Sequence, residues 1–355
     1  MRILLLTRYS PMGPSSRIRH YQFLPALAEA GLSVSVAPLL PDSYLEALYA
    51  GKPRSPLRIA AAYADRLRHM AGLCRFDLLW IEKELLPWLP YGIESWFLRN
   101  APPYIVDFDD AWFHHYDRSR WPLVRHLLGR KLDRVMRRAA LVTAGNAYLA
   151  DRAAAAGARA VEILPTVVDL DRYPLPPPAP ADGPAVVGWI GSPMTDHYLS
   201  LIAGPLRRLE AETGARLSLV GANPKVLYGP STDHHPWSED SEAGHIAAFD
   251  IGIMPLDDTP WEQGKCGYKL IQYMACGKPV IASPVGVNRD IVEHGVNGFL
   301  AETPDEWLEA LRRLARDPGL RSRMGAAGRA KVEAQYSLAV TAPRLVGLLR
   351  AAAAG

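Results

Sequence analysis

Gly264-Lys265-Cys266-Gly267-Tyr268-Lys269-Leu270-Ile271-Gln272-Tyr273-Met274-Ala275-Cys276-Gly277-Lys278-Pro279-Val280-Ile281-Ala282-Ser283 holds a complete loop, helix, turn and strand. A glycine-flexible loop opens a helix expected over 266–275, Gly277 closes it as a left-handed cap, and Pro279–Ser283 is the next strand. The unpaired amides of such a helix start form an anion site. Lys265 and Lys269, four apart, share one face of the first turn, where cations oppose the helix dipole unless an anion offsets them. A diphosphate would do so, and Gln272, one turn further in, is placed for sugar or ribose hydroxyls. A solvated basic helix start with a plain core helix behind it is the alternative.

The same rhythm extends both ways. Ile3–Leu6, Ser33–Ala37, Leu78–Ile81, Tyr104–Val106, Leu141–Ala144 and Val161–Leu164 are short apolar runs that read as buried strands, with amphipathic stretches at 17–31 and 122–139 among them. A second series comprises Ala185–Ile190, Arg216–Val220, Ile251–Pro255, Pro279–Ser283 and Gly298–Ala301, separated by helical patterns at 196–213, 266–275, 304–316 and 319–335. Alternation of this kind predicts parallel sheets covered by helices on both faces. Between the series, Arg172 to Pro184 carries six prolines in thirteen residues, an extended spacer. The expected organisation is a first domain over 1–172, a proline-rich linker over 173–184 and a second domain over 185–335. A terminal helix over 336–355, bent or restarted at Pro343, packs back toward the first domain.

Composition narrows the function. With 49% apolar and 22% charged residues over 355 positions, disorder, collagen and coiled coil are excluded. Charge is uneven: 1–175 carries a net +6 and 176–355 a net −3, consistent with the total of +3. Cys74, Cys266 and Cys276 have no metal-finger spacing, which argues for reduced thiols in a cytoplasmic setting and against structural zinc. The N-terminal apolar run is too short for a signal peptide, and no uninterrupted apolar stretch suits a membrane span.

Trp261 through Ala301, with Pro284-Val285-Gly286-Val287-Asn288 and Glu293-His294-Gly295-Val296-Asn297-Gly298-Phe299-Leu300, resembles the donor half of family 4 (group 1) retaining glycosyltransferases of the GT-B fold. Further pieces match in order: the glycine loop Pro11-Met12-Gly13-Pro14-Ser15-Ser16-Arg17, the exit Leu164-Pro165-Thr166-Val167-Val168-Asp169, and closing helices over 303–336 with Met324–Arg329. The resemblance implies two Rossmann-like α/β domains with parallel sheets facing a central cleft. It implies a metal-independent, cofactor-free transfer from a nucleotide-diphosphate sugar, UDP- or GDP-linked, to a carbohydrate or lipid-linked hydroxyl, in cell-surface polysaccharide or glycolipid synthesis. Donor contacts then fall on Gly13, Arg17, Gly191, Ser192, Gly221, Asn223, Pro255, Leu256, Glu262, Gly267, Tyr268, Leu270 and Gln272, with Lys265 and Lys269 offsetting charge on the leaving diphosphate. Two family glutamates, eight positions apart, fall on Gly264 and Gln272, and Gly191-Ser192-Pro193-Met194-Thr195 replaces the usual Arg and Lys of that turn. These departures leave a non-catalytic nucleotide-sugar-binding scaffold and a GT-B sugar-nucleotide epimerase as alternatives.

Asp107-Phe108-Asp109-Asp110 ends the strand that begins at Tyr104. Asp109 is assigned to sugar or acceptor hydroxyls, with Asp107 and Asp110 as alternates and Arg19 beside them on the acceptor side. Adjacent carboxylates near His114 and His115 also suit a divalent cation, and Asp109 or Asp110 suits a helix cap. Arg17 and Arg19 suit phosphate or a solvated face; Lys83-Glu84 reads as a local ion pair. Residues 118–138 carry Arg118, Arg120, Arg125, Arg130, Lys131, Arg134, Arg137 and Arg138 against the single acid Asp133. This run fits a peripheral contact with an anionic membrane surface on its inner face. The apolar stripe would equally serve as the side packed on the first sheet. Nucleic acid is not expected, because no stacking motif is interleaved with the cations.

Overall fold

A computed structural model describes residues 1–175, 183–225, 229 and 231–354. The chain divides into two compact units: Met1–Thr166 with Gly264–Cys266 and Thr341–Gly355, and Val167–Gln263 with Gly267–Val340. Most of the proline-rich linker, 176–182, lies outside the described residues.

The first unit holds six parallel strands: β1 (Arg2–Leu6), β2 (Ser33–Val36), β3 (Leu78–Glu82), β4 (Tyr104–Phe108), β5 (Leu141–Ala144) and β6 (Val161–Ile163). Their spatial order is β2-β1-β3-β4-β5-β6. The central strands are apolar along nearly their whole length because helices cover both faces, and Leu78–Ile81 is fully buried. The second unit holds β7 (Val186–Ile190), β8 (Arg216–Val220), β9 (Thr232–His235), β10 (Ile251–Met254), β11 (Val280–Ala282) and β12 (Gly298–Leu300), all parallel, in the order β12-β11-β10-β7-β8-β9. This is the doubly wound Rossmann order, which reverses between β7 and β10. β9 is absent from the strands expected of the sequence. Its Thr232-Asp233-His234-His235 has no apolar run, since it is an edge strand paired with β8.

The units part between Thr166 and Val167, ahead of the expected break at 172/173. Val168 exchanges backbone hydrogen bonds with Tyr336 and Leu338, and Tyr173 is buried in the second core, so this stretch is held before the prolines begin. The helical patterns are also more broken than expected. The stretch 17–31 becomes Pro14–Arg19, a 3-10 turn at Tyr21–Phe23, and Leu24–Glu29 around Pro25; the stretch 122–139 divides into Pro122–Leu128 and Lys131–Arg138 at Gly129. Pro343 does not restart the terminal helix, which runs unbroken over Leu338–Ala354. Within the first unit, its Arg344 and Arg350 donate to the carbonyls of Ile163 and Ala30.

Candidate functional site

In a doubly wound sheet, ligands bind outside the carboxyl ends of the strands where the order reverses. In the second unit that position lies beyond β7 and β10, and the backbone turns tightly after β7 and its other neighbour β8. Gly221 has φ +75°, and a Cβ on it would lie 2.3 Å from the Gly191 carbonyl oxygen. A Cβ on Gly191 would lie 2.3 Å from Trp189 and 2.8 Å from the Lys269 ammonium. Bare backbone is therefore the only surface these turns can present to one another. The Lys269 ammonium sits 4.2 Å from the Trp189 ring centroid, a cation–π contact that holds its charge beside the Gly191 turn.

Lys269 belongs to the helix Tyr268–Ala275, whose N-cap Gly267 is left-handed at φ +65°. A Cβ on Gly267 would meet Ile291 at 2.3 Å, so glycine is required there by space as well as by φ. The helix starts later than expected, and Lys265 lies outside it: the two lysines do not share a first turn. Lys265 belongs to the first unit, where its carbonyl accepts from Asn146 Nδ2 at 2.9 Å.

Other expected donor residues are already committed within the second unit. Leu270 is fully buried in the core, so it supports the helix and offers no ligand surface; Leu256 is also a core residue, its N–H donating to Ser283 Oγ at 2.9 Å. Glu262 is buried and accepts from the hydroxyls of Tyr198 and Thr259. Gln272 is buried and donates through Nε2 to the Tyr173 hydroxyl at 2.8 Å. Tyr173 in turn donates to Glu242 at 2.6 Å, and Trp237 donates to the other oxygen of that carboxylate at 3.0 Å. The Tyr268 hydroxyl lies 3.5 Å from that of Tyr173. Ser192 and Asn223 sit half-buried in the turns after β7 and β8, Asn223 N–H donating to Asp196 at 2.9 Å, and Pro255 follows β10.

In the first unit, the carboxylates after β4 differ sharply. Arg19 grips Asp107 with two bonds, Nε at 2.9 Å and Nη2 at 2.6 Å, both side chains being 3% exposed. Thr143 also donates to Asp107 at 2.6 Å, and Arg19 Nη1 donates to the Leu164 carbonyl at 2.8 Å. Burial disfavours the guanidinium charge, yet the adjoining Asp107 carboxylate holds its pKa above the ordinary value. Arg19 and Asp107 thus form a buried ion pair, each already engaged by the other, where an acceptor-binding role had been expected of them. Arg17 is also buried, donating to the Pro11 carbonyl at 3.1 Å, and Gly13 is excluded from carrying a side chain by Tyr9, 2.5 Å from where its Cβ would sit.

Asp109 receives the Lys83 ammonium at 2.5 Å and the Ser15 hydroxyl at 2.5 Å. Burial alone would raise its pKa, but Lys83 and Arg19 bring it down to about 2. Lys83 follows β3 with a left-handed φ of +61°, a strained conformation for a residue with a side chain. Its partner is not Glu84, as the sequence suggested. Glu84 instead takes Lys131 at 2.7 Å, a lysine shared with Glu94 at 2.7 Å. Lys83 and Ser15 are neighbours of the site that sequence reasoning missed; the lysine at a strand end was the available signal.

Asp110 is half-buried, and among the described residues its carboxylate makes no hydrogen bond or ion pair. Burial and the neighbouring Asp109 push its pKa up to about 6, with Lys265 and Lys83 opposing. The segment 264–266 lines the same place. Cys266 Sγ donates to the Asp109 carbonyl at 3.0 Å, and a Cβ on Gly264 would lie 2.5 Å from Ala111 Cβ and 2.7 Å from its nitrogen. His114 is held by Asp117 and Tyr148, each at 2.8 Å, and His115 packs on Trp112. Among the described residues, no group of three or more His, Cys, Asp or Glu side chains is arranged to hold a metal ion.

Residues 185–317 match the sequence model of the family Glycosyl transferases group 1. Alpha-1,3/1,6-mannosyltransferase ALG2 of Homo sapiens is 32% identical over 123 residues, 34% of this chain and 22% of that protein. D-inositol 3-phosphate glycosyltransferase of Stackebrandtia nassauensis is 31% identical over 162 residues, 40% of this chain and 35% of that one. The chain thus spans about a fifth to a third of these relatives' lengths. Among solved structures, sucrose-phosphate synthase from Thermosynechococcus elongatus superposes with a TM-score of 0.72 at 16% identity, covering 99% of this chain and 98% of that one. Anabaena Alr3699/HepE in complex with UDP-glucose gives 0.67 at 17% identity, covering 99% and 100%. With its two parallel six-stranded sheets and its superposition on these structures, the chain has the GT-B fold, and its residues 185–317 are similar to the group 1 glycosyl transferases.

Proposed function

We propose that the protein transfers a sugar from a UDP- or GDP-sugar to a hydroxyl of a carbohydrate or lipid-linked acceptor, with retention of anomeric configuration and without a metal ion. The observation that carries this reading is the Lys269 ammonium held over Trp189 beside the bare Gly191 turn, at the reversal point of the second sheet and inside the segment that matches the family. A cation fixed there offsets charge developing on the departing diphosphate without reorganising during the reaction. The bond from the anomeric carbon to the phosphate oxygen breaks, the bond to the acceptor oxygen forms on the same face, and the acceptor proton passes to the diphosphate. Gly191, Ser192, Gly221 and Asn223 supply backbone and side chains around the nucleotide, while the buried Gln272, anchored on Tyr173, supports the helix that carries Lys269.

In the first unit, Asp110 takes the hydroxyl-binding role expected of Asp109, since Asp107 and Asp109 are already paired. Lys265 offsets the charge of Asp110. A place on an anionic membrane surface, cytoplasmic in orientation, and a part in polysaccharide or glycolipid synthesis belong to the same reading. No helix among the described residues is long and apolar enough to cross a membrane.

A nucleotide-sugar-binding scaffold is the second reading. It is favoured by Gly264, where Ala111 leaves no room for the family carboxylate. Turnover decides between them. Release of UDP or GDP from a cognate sugar nucleotide, dependent on acceptor and reduced in Lys269→Ala, supports transfer; tight binding without release supports the scaffold.

A further inference from the structure

The segment 118–138 is divided by Gly129 into two helices with opposite fates. In Lys131–Arg138, the apolar side chains Leu132, Val135 and Met136 are buried, as is Leu128 just before the break. In Pro122–Leu128, two apolar side chains point out of the core: Leu123 is 68% exposed and Leu127 51%, with Trp121, immediately before the helix, at 60%. Leu123 and Leu127 are four apart and so share one helix face. Packing on the first sheet therefore explains the second helix and leaves the first unexplained.

The exposed charges around that face are arginines. Arg118, Arg120, Arg125, Arg130 and Arg134 are exposed, and Arg120 lies 5.0 Å from the Trp121 ring centroid. The nearby acids are engaged: Asp133 is buried on Arg152 at 2.8 Å, with Arg130 at 3.8 Å, and Asp117 takes Arg152 at 3.0 Å and His114 at 2.8 Å. Arg125 is steadied by the Ser119 carbonyl at 2.5 Å. A further exposed aromatic, Trp96 at 65%, lies on the helix Tyr91–Leu98, which is tied to Lys131–Arg138 by the buried Glu94–Lys131 pair.

We infer that Trp121, Leu123 and Leu127 insert into the interface of an anionic lipid bilayer while the surrounding arginines bind its headgroups. Tryptophan is suited to the boundary between headgroups and acyl chains, and cations beside an inserted apolar face add attraction to anionic lipid. A nucleic acid would use the arginines and leave Leu123 and Leu127 in water; a bilayer uses both. The inference deepens the membrane contact of the functional reading, narrowing it from the whole basic run to its first helix. It does not depend on the Lys269 site.

Flotation of the full chain with phosphatidylcholine vesicles, with and without phosphatidylglycerol, tests it. The wild type should float with the anionic vesicles and not with pure phosphatidylcholine. The triple variant Trp121→Ala, Leu123→Ser, Leu127→Ser should bind about tenfold less, and Arg120→Glu with Arg125→Glu should lose binding with a weaker dependence on salt. All five positions are exposed, and UDP or GDP binding by each variant checks that the fold and the donor site are intact. Equal flotation of wild type and triple variant, or no flotation of the wild type, overturns the inference. So does a concentration-dependent dimer that the triple variant abolishes, since a second copy would then cover the face.

Discussion

The strand end at Asp107–Asp110 and the helix start at Gly267–Gln272 are both rich in polar groups, yet they are built in opposite ways. After β4, two of three carboxylates are neutralised by cations from distant parts of the chain, and Asp110 is the one of the three that has neither an ion pair nor a hydrogen bond among the described residues. At the helix start, the Lys269 ammonium is set on an aromatic face, next to glycine turns that leave backbone open. Charge in the first region mostly holds the unit together; in the second it is fixed in place where the sheet order reverses. Density of charged residues is therefore a poor guide to function, and the surroundings of each group are a better one.

The largest effect should come from breaking the first region. Arg19→Ala strands a buried Asp107 carboxylate and should destabilise the fold by about 3–5 kcal/mol, read as a fall in denaturant midpoint; a change under about 1 kcal/mol would show that the pair is not structural. Lys269→Ala should leave stability nearly unchanged and lower transfer about 100-fold, near 2.7 kcal/mol of transition-state stabilisation, measured as kcat/KM with a cognate donor. Gly264→Glu, which puts a carboxylate where the resemblance leads one to expect it, should cost about 1–3 kcal/mol because its Cβ collides with Ala111, and should not raise activity. A stable, more active variant would mean that the carboxylate is simply missing.

The smallest effect separates Asp109 from Asp110. Asp110 has a pKa raised to about 6, so its ionisation works against folding: its favourable contribution is complete below the ordinary carboxylate value and is lost as pH rises through about 6. Asp110→Asn should therefore raise the melting temperature slightly at pH 8 and not at pH 4, while removing any rise in transfer rate through pH 6. Asp109, lowered to about 2, contributes in the opposite sense, stabilising above its ordinary value and losing that as pH falls toward 2. Asp109→Asn should destabilise at pH 7.

The strands were legible because parallel, doubly covered strands are apolar end to end; the polar edge strand β9 carried no such signal. Gly264–Ser283 disclosed its helix and cap, but not that the helix would start only at Tyr268 and so part Lys265 from the first turn, since that depends on the left-handed Gly267. The partners of Asp109 were hidden for a different reason. Its partners Lys83 and Ser15 come from the end of β3 and the helix that follows β1, and no local spacing announces which of three adjacent carboxylates a distant lysine will take. Likewise, amphipathic periodicity over 118–138 did not reveal that Gly129 divides a buried helix from an exposed one.

The central claim is that Lys269 holds the diphosphate of a sugar nucleotide. Isothermal titration of UDP and GDP into the wild type and Lys269→Ala tests it most directly. The account predicts that at least one nucleotide binds the wild type and that the variant binds it at least about tenfold more weakly, about 1.4 kcal/mol, with an unchanged melting temperature. Equal affinity in the two proteins, or no binding of either nucleotide to the wild type, would contradict it.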